Sequence, residues 1–180
     1  LISTSMIDVQ LTLVSSLEKP VQKRSKVLLH IGTTQLVATL VLLSTEEAQG
    51  GEQILGQLRL ERPTVVLPGE HFILRGFEVL ANYGKTFAGG VVLDPHPKKH
   101  KGGAEEVVQS LNRIALDGPM ASIEEIIRLS GELEVSEKTL WRRVKCSKEE
   151  LLTAISTLEK QKAIIQVRDQ QESAWLHQQP

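Results

Sequence analysis

Aromatic residues are scarce in this chain: three Phe, two Trp and one Tyr make 3% of its 180 residues. Any core must therefore be aliphatic, built from Leu, Ile, Val and Ala. Cysteine is nearly missing too. Cys146 alone excludes an internal disulfide and a zinc ribbon, and suits a reducing cytoplasm. No run of eighteen apolar residues is present, and the opening Leu1-Ile2-Ser3-Thr4-Ser5-Met6 is neither a basic-then-apolar signal nor an amphipathic transit segment. Excess charge of one sign is also lacking. The formal net charge of −1 rules out a strongly basic nucleic-acid binder, so any RNA contact must come from local patches. Residues 1–103 hold 11 Lys+Arg against 9 Asp+Glu, and residues 104–180 hold 10 against 13. A Gly-x-x-x-x-Gly-Lys-Ser/Thr loop is absent, so this stretch has no phosphate-cradling P-loop and reads as non-enzymatic. The start at Leu1 suggests a piece of a longer protein.

What is present divides by hydrophobic period. Ile7 to Leu13 alternates apolar and polar residues, the pattern of a strand with one face inward. Val27 to Ile31, Leu36 to Leu43, Gln53 to Glu61, Phe72 to Leu74 and Val91 to Leu93 continue as strands, with Gly32 a turn or bulge and Pro63 to Gly69 an interruption. About six strands without a long helix predict a closed barrel, which removes sheet edges. The Gly-Gly pairs at 50–51, 89–90 and 102–103 read as turns or bulges.

Asp94 to Gly103, rich in Pro, Gly and like charges, reads as a domain boundary. Beyond it the period becomes helical. Val107, Val108, Leu111, Ile114 and Ala115 share one face until Asp117-Gly118-Pro119. Ser122-Ile123-Glu124-Glu125 and Ser147-Lys148-Glu149-Glu150 both read as capping boxes. Between them Ser136 opens a short helix carrying Leu140, Trp141 and Val144, and Ile164 to Leu176 reads as a β-hairpin. The expectation is an all-β closed barrel over 1–96, a basic linker over 97–104, and a mainly α winged helix over 105–180.

Chemistry-bearing groups are few. His96, His100, Asp94 and Cys146 lack metal-ligand spacing, and Cys146 has no base beside it to make a nucleophile. Lys98-Lys99-His100-Lys101 can grip phosphates or serve as a solvated linker. Lys23, Arg24 and Lys26 cluster between strands, where a rigid scaffold favours binding. In the helical domain the exposed side of the last helix is expected at Glu149, Thr153, Ser156 and Lys160, which is not phosphate-seeking. Its basic group is Arg142, Arg143 and Lys145, with Arg168 at the hairpin.

Val27 to Thr33 followed by Ala38 to Leu43, then Gln57-Leu58-Arg59-Leu60-Glu61, Pro68 to Arg75, Gly89 to Pro95 and the basic exit Lys98 to Lys101 resemble, in that order, the third domain of bacterial selenocysteine-specific elongation factors. The likeness departs at Gly76 to Thr86, which lacks the Ser-Pro and Thr-x-Gly-Gly-Gly elements of the family. The resemblance implies a translation-factor barrel followed by the first winged helix of the C-terminal extension. It further implies a cytoplasmic, monomeric GTPase as parent, with GTP and magnesium bound in a nucleotide domain outside this stretch. Its partners are then selenocysteinyl-tRNA, the ribosome at a recoded UGA codon, and an mRNA hairpin read by more C-terminal winged helices. No membrane is involved. A barrel meets tRNA through phosphate and 2′-hydroxyl contacts, which makes Lys23, Arg24, Lys26, Arg75 and Lys85 candidates along with Lys98, Lys99 and Lys101. His30 is marked only by the shared motif. Two other readings are a DNA-binding winged-helix regulator with a β-barrel sensor, which needs a basic recognition helix, and a small hydrolase, which needs a convergent acid/base group.

Overall fold

The structure, a computed structural model, describes residues 2–76, 84–100, 105–131, 133–168 and 173–178. It divides into two compact units, Leu1–Val108 and Gln109–Pro180.

The first unit is a closed antiparallel barrel. Its strands are β1 (Ser3–Leu13), β3 (Arg24–Ile31), β4 (Thr34–Leu42), β6 (Gln53–Val65), β7 (His71–Gly76) and β8 (Thr86–Asp94), joined in the order β1-β6-β4-β3-β7-β8. A short pair, β2 (Val21–Gln22) with β5 (Glu47–Ala48), stands apart from it. Alternation puts Ile7, Val9, Leu11 and Leu13 of β1 inside, where they meet Val27, Leu29 and Ile31 of β3, Leu58 and Leu60 of β6, and Leu74 of β7. Burying each such side chain stabilises the fold by about 1.5–3 kcal/mol. Gly32 makes the β3–β4 turn in a left-handed conformation, φ 53°.

Three readings change here. Pro63 does not end its strand, because β6 runs on to Val65. The register with β1 jumps between Thr4↔Thr64 and Met6↔Arg59, so Pro63 sits in a bulged stretch where no ladder hydrogen bond is asked of it. Gly89 and Gly90 are mid-strand rather than in a turn. A Cβ on Gly90 lies 2.2 Å from the Gln10 carbonyl oxygen, so glycine lets β1 and β8 approach. The expected linker is anchored through His100, which is nine-tenths buried against the fully buried Asp8 at 2.6 Å, while Gln57 donates to the Lys98 carbonyl at 3.0 Å. Residues 101–104, including Lys101, lie outside the described residues.

The second unit contains α2 (Gly118–Ser130), α3 (Glu137–Arg143) and α4 (Lys148–Lys160), preceded by α1 (Glu105–Leu116). A three-stranded sheet follows the order β10 (Ile164–Arg168), β11 (Ser173–His177), β9 (Val135–Ser136). Ile123, Ile126 and Ile127 form the buried stripe of α2, which packs on α3, α4 and β11. Ser147 and Glu150 form the expected capping box on α4, and Ser136 caps α3 by accepting from the Thr139 amide. Ser122 caps nothing. The α2 helix already starts at Gly118, because Pro119 suits a first turn whose amides need no partner, and Ser122 Oγ donates to the Gly118 carbonyl. Glu125, instead of reaching back, is fully buried between Arg113 and Arg128, with 2.8 Å to the latter.

Candidate nucleic-acid interface

The barrel's alternation that sends apolar residues inward sends polar ones out, and register decides which of these meet. On β3 the outward residues are Arg24, Lys26, Leu28 and His30; on β7 they are His71, Ile73 and Arg75. Lys26 pairs with Thr39 of β4, and Thr39 with Arg59 of β6. Arg75 pairs with Leu28, one step diagonal from Lys26, and His30 pairs with Ile73 and with Gln35. Arg75, Lys26, Thr39 and Arg59 therefore run as one band across four adjacent strands, neighbouring strands standing about 4.8 Å apart. Glu61 lies two places beyond Arg59 on the same strand face and is the acid closest in register.

Within this band the Nε atoms of Arg59 and Arg75 and the Nε2 of His30 are buried without a hydrogen-bond partner among the described residues. Arg62 is anchored nearby, donating to the Gln35 carbonyl at 3.3 Å. Lys85 joins the same end of the barrel. Val27 pairs with Gly76, and the Gly76 amide donates to the Lys85 carbonyl at 3.1 Å, with the Lys85 side chain exposed. Residues 77–83, part of the Gly76 to Thr86 stretch where the family pattern departs, lie outside the described residues.

The predicted cluster of Lys23, Arg24 and Lys26 is split. Lys23 is ion-paired with Glu46, whereas Arg24 and Lys26 are exposed on the outward face of β3. Lys98 and Lys99 are exposed beside the Asp8–His100 pair. Burial pushes the Asp8 carboxyl above its ordinary range; the hydrogen bond and charge of His100 and the amide of Gln57 only partly offset that, and the charge of Asp94 adds to it. Arg59 has no adjacent cation in its strand to mark a cluster in sequence. The inward positions Leu58 and Leu60 were signal enough to place it outside.

In the second unit the basic group is also divided. Arg143 is buried and donates to Ser130 Oγ at 3.4 Å, so its guanidinium belongs to the packing of α2 and α3 and not to an exposed face. Arg142 is half-buried and Lys145 exposed. Arg168 closes β10, and its side chain lies outside what is described. Glu149, Thr153, Ser156 and Lys160 are all exposed on α4, as the helical period requires. Trp141 is 46% exposed: Leu140 and Val144, four apart, take the buried side and turn it out. Cys146 has its thiol pushed up by burial and by the charge of Glu150, which leaves it a poor nucleophile.

No helix among the described residues is long and apolar enough to cross a membrane. Comparison with known proteins identifies the barrel segment. Residues 7–99 match the family described as "Selenocysteine-specific elongation factor, beta-barrel domain". A curated selenocysteine-specific elongation factor of Desulfomicrobium baculatum is 29% identical over 147 residues, covering 74% of this chain and 23% of that protein. The chain thus spans under a quarter of that relative's length, and a DNA-binding regulator gains no support from either match. With more than half of its residues inside the matched segment, this chain belongs to the selenocysteine-specific elongation factor β-barrel family.

Proposed function

We propose that this chain is the third barrel and first winged helix of a factor that delivers selenocysteinyl-tRNA to the ribosome at recoded UGA codons. In this reading the barrel holds an arm of the tRNA, and the helical unit connects it to further winged helices that read an mRNA hairpin. The parent is a cytoplasmic GTPase whose GTP and magnesium are bound elsewhere in its sequence. The observation that carries the RNA-binding role is the band Arg75, Lys26, Thr39 and Arg59, lying inside the matched residues. Cations on a rigid sheet suit the phosphates of an A-form arm, which proteins read by shape more than by sequence. Arg24 and Lys85 extend the band, and Lys98 and Lys99 add charge beside the anchored exit.

The order α2, β9, α3, α4, β10, β11, with β9 and β10 flanking β11, supports a winged helix. Its α4 face, with one acid and one base among four outward positions, fits a spacer better than a groove reader.

The test is a titration of this chain with selenocysteine tRNA and an ordinary elongator tRNA at several salt concentrations. Tighter binding of the former is expected. The triple substitution Lys26→Gln, Arg59→Gln, Arg75→Gln is expected to reduce the slope of log K against log salt by roughly 2 to 3, for three lost phosphate contacts. An unchanged slope overturns the assignment to this band. Arg142→Ala should leave tRNA affinity unaltered, and a large loss refutes the spacer role.

A further inference from the structure

Half exposure of Trp141 is costly in water, and the tryptophan faces a concavity rather than a flat surface. Glu137, Lys138 and Trp141 of α3, Lys148 at the start of α4 and Ser173 at the start of β11 line a hollow of about 420 Å³. That volume lies within the range of small-ligand sites, about 300–1,000 Å³. The same unit's other tryptophan behaves differently: Trp175 is buried, and its indole N–H donates to Glu159 at 2.8 Å. Trp141 is thus an aromatic surface in a hollow that two lysines also line, in a chain with six aromatic residues in all.

We infer that this hollow binds an unpaired RNA nucleotide, its base stacked on Trp141 and its flanking phosphates held by Lys138 and Lys148. The combination of one π-face with flanking cations is how sequence-tolerant single-strand sites are built. Charge favours the occupant: two lysines against one glutamate leave the lining positive. Glu137 then accepts from base N–H groups or a 2′-hydroxyl, both donors that a nucleotide supplies. A base in a duplex already has its faces stacked and cannot enter, so unpaired RNA is specified. The site adds a single-strand contact to the connecting role of the helical unit, independently of what the barrel binds.

Both tryptophans of the chain are in the second unit, so intrinsic tryptophan fluorescence reports on that unit. Titrating the whole chain with a short unstructured RNA should quench the emission saturably, and the same sequence annealed to its complement should not. Trp141→Leu should leave an emission, from Trp175, that RNA does not change. Lys138→Gln with Lys148→Gln, both at exposed positions, should move the quenching midpoint up at least about fivefold and flatten its salt dependence. Absence of quenching at saturating RNA, equal quenching by duplex, persistent quenching in Trp141→Leu, or an unmoved midpoint in the lysine variant each overturns the inference. Quenching by an arginine-rich peptide but not by RNA assigns the hollow to a protein partner and overturns it as well.

Discussion

Gly90→Ala tests the packing of the barrel most directly. The added methyl meets three obstacles: the Gln10 carbonyl oxygen at 2.2 Å, the Phe72 ring at 2.7 Å and the Leu11 Cα at 2.9 Å. Two of these are backbone of β1, held in register with β8 on one side and β6 on the other, so relief needs strand movement of about 1 Å against close-packed neighbours. Overpacking of this kind costs about 1–3 kcal/mol, and backbone obstacles place it near the upper end. Alanine returns about 0.4–1 kcal/mol by restricting the unfolded chain. The net expectation is a loss of about 2 kcal/mol, a large share of a stability on the order of 5–15 kcal/mol. Two glycines serve as internal standards. Gly56→Ala meets the flexible tip of Leu40 at 2.9 Å and should cost less. Gly84→Ala has open space but a φ of +73°, which should cost roughly 1–2 kcal/mol through the backbone alone. Urea unfolding followed by far-UV circular dichroism should rank Gly90→Ala as the most damaging. A Gly90→Ala midpoint at or above that of Gly84→Ala refutes the close-approach argument.

Removing the imidazole by His100→Ala strands a fully buried carboxylate and should cost about 2–4 kcal/mol at pH 7. Because burial raises the Asp8 pKa in the folded state, its contribution is complete below 3.8 and is lost as pH rises through the raised value. The His100→Ala deficit should therefore be small near pH 4 and grow toward pH 7 in urea titrations; a deficit that shrinks over that interval refutes the account. On α4, Ser147→Ala should cost about 1 kcal/mol through the lost cap. The backbone amide and hydroxyl of Ser147 hold Glu150 below its ordinary 4.5, so the advantage of the native chain over Glu150→Gln is present above that value and disappears as pH falls through the lowered one, as thermal melts should record.

The strands were legible because an aliphatic barrel repeats one simple rule: inward side chains are apolar and outward ones are not. The rule fails where polar groups are buried for each other. Asp8 and Gln57 read as solvent-facing, yet they are covered because the chain returns from β8 and sets His100 on them, a long-range event with no local signature. Glu125 shows the same failure in a helix, where Ser122 three residues before it imitates a capping box while Arg113 and Arg128 draw the carboxylate inward. The basic band was half visible. Lys26 and Arg75 stand in recognisable surroundings, but only register brings Arg59 beside them, two strands away. The exposure of Trp141 follows from spacing alone: Leu140 and Val144 share one face of a short helix, and Trp141 stands about a quarter-turn off it.

Closure of the barrel through β1 has a consequence for synthesis. The first strand emerges with both of its hydrogen-bonding edges open, and its partners β6 and β8 follow only roughly 40 and roughly 70 residues later. At a translation rate of about 5–20 residues per second, β1 waits roughly 4–15 s for its second neighbour. Until then it is an unpaired, strongly apolar edge of the kind that recruits other chains. The carboxylate of Asp8 waits longer still, for His100. Codons between Val65 and Thr86 therefore set how long a nascent molecule remains exposed, and a pause there lengthens the interval in which misassociation competes with folding.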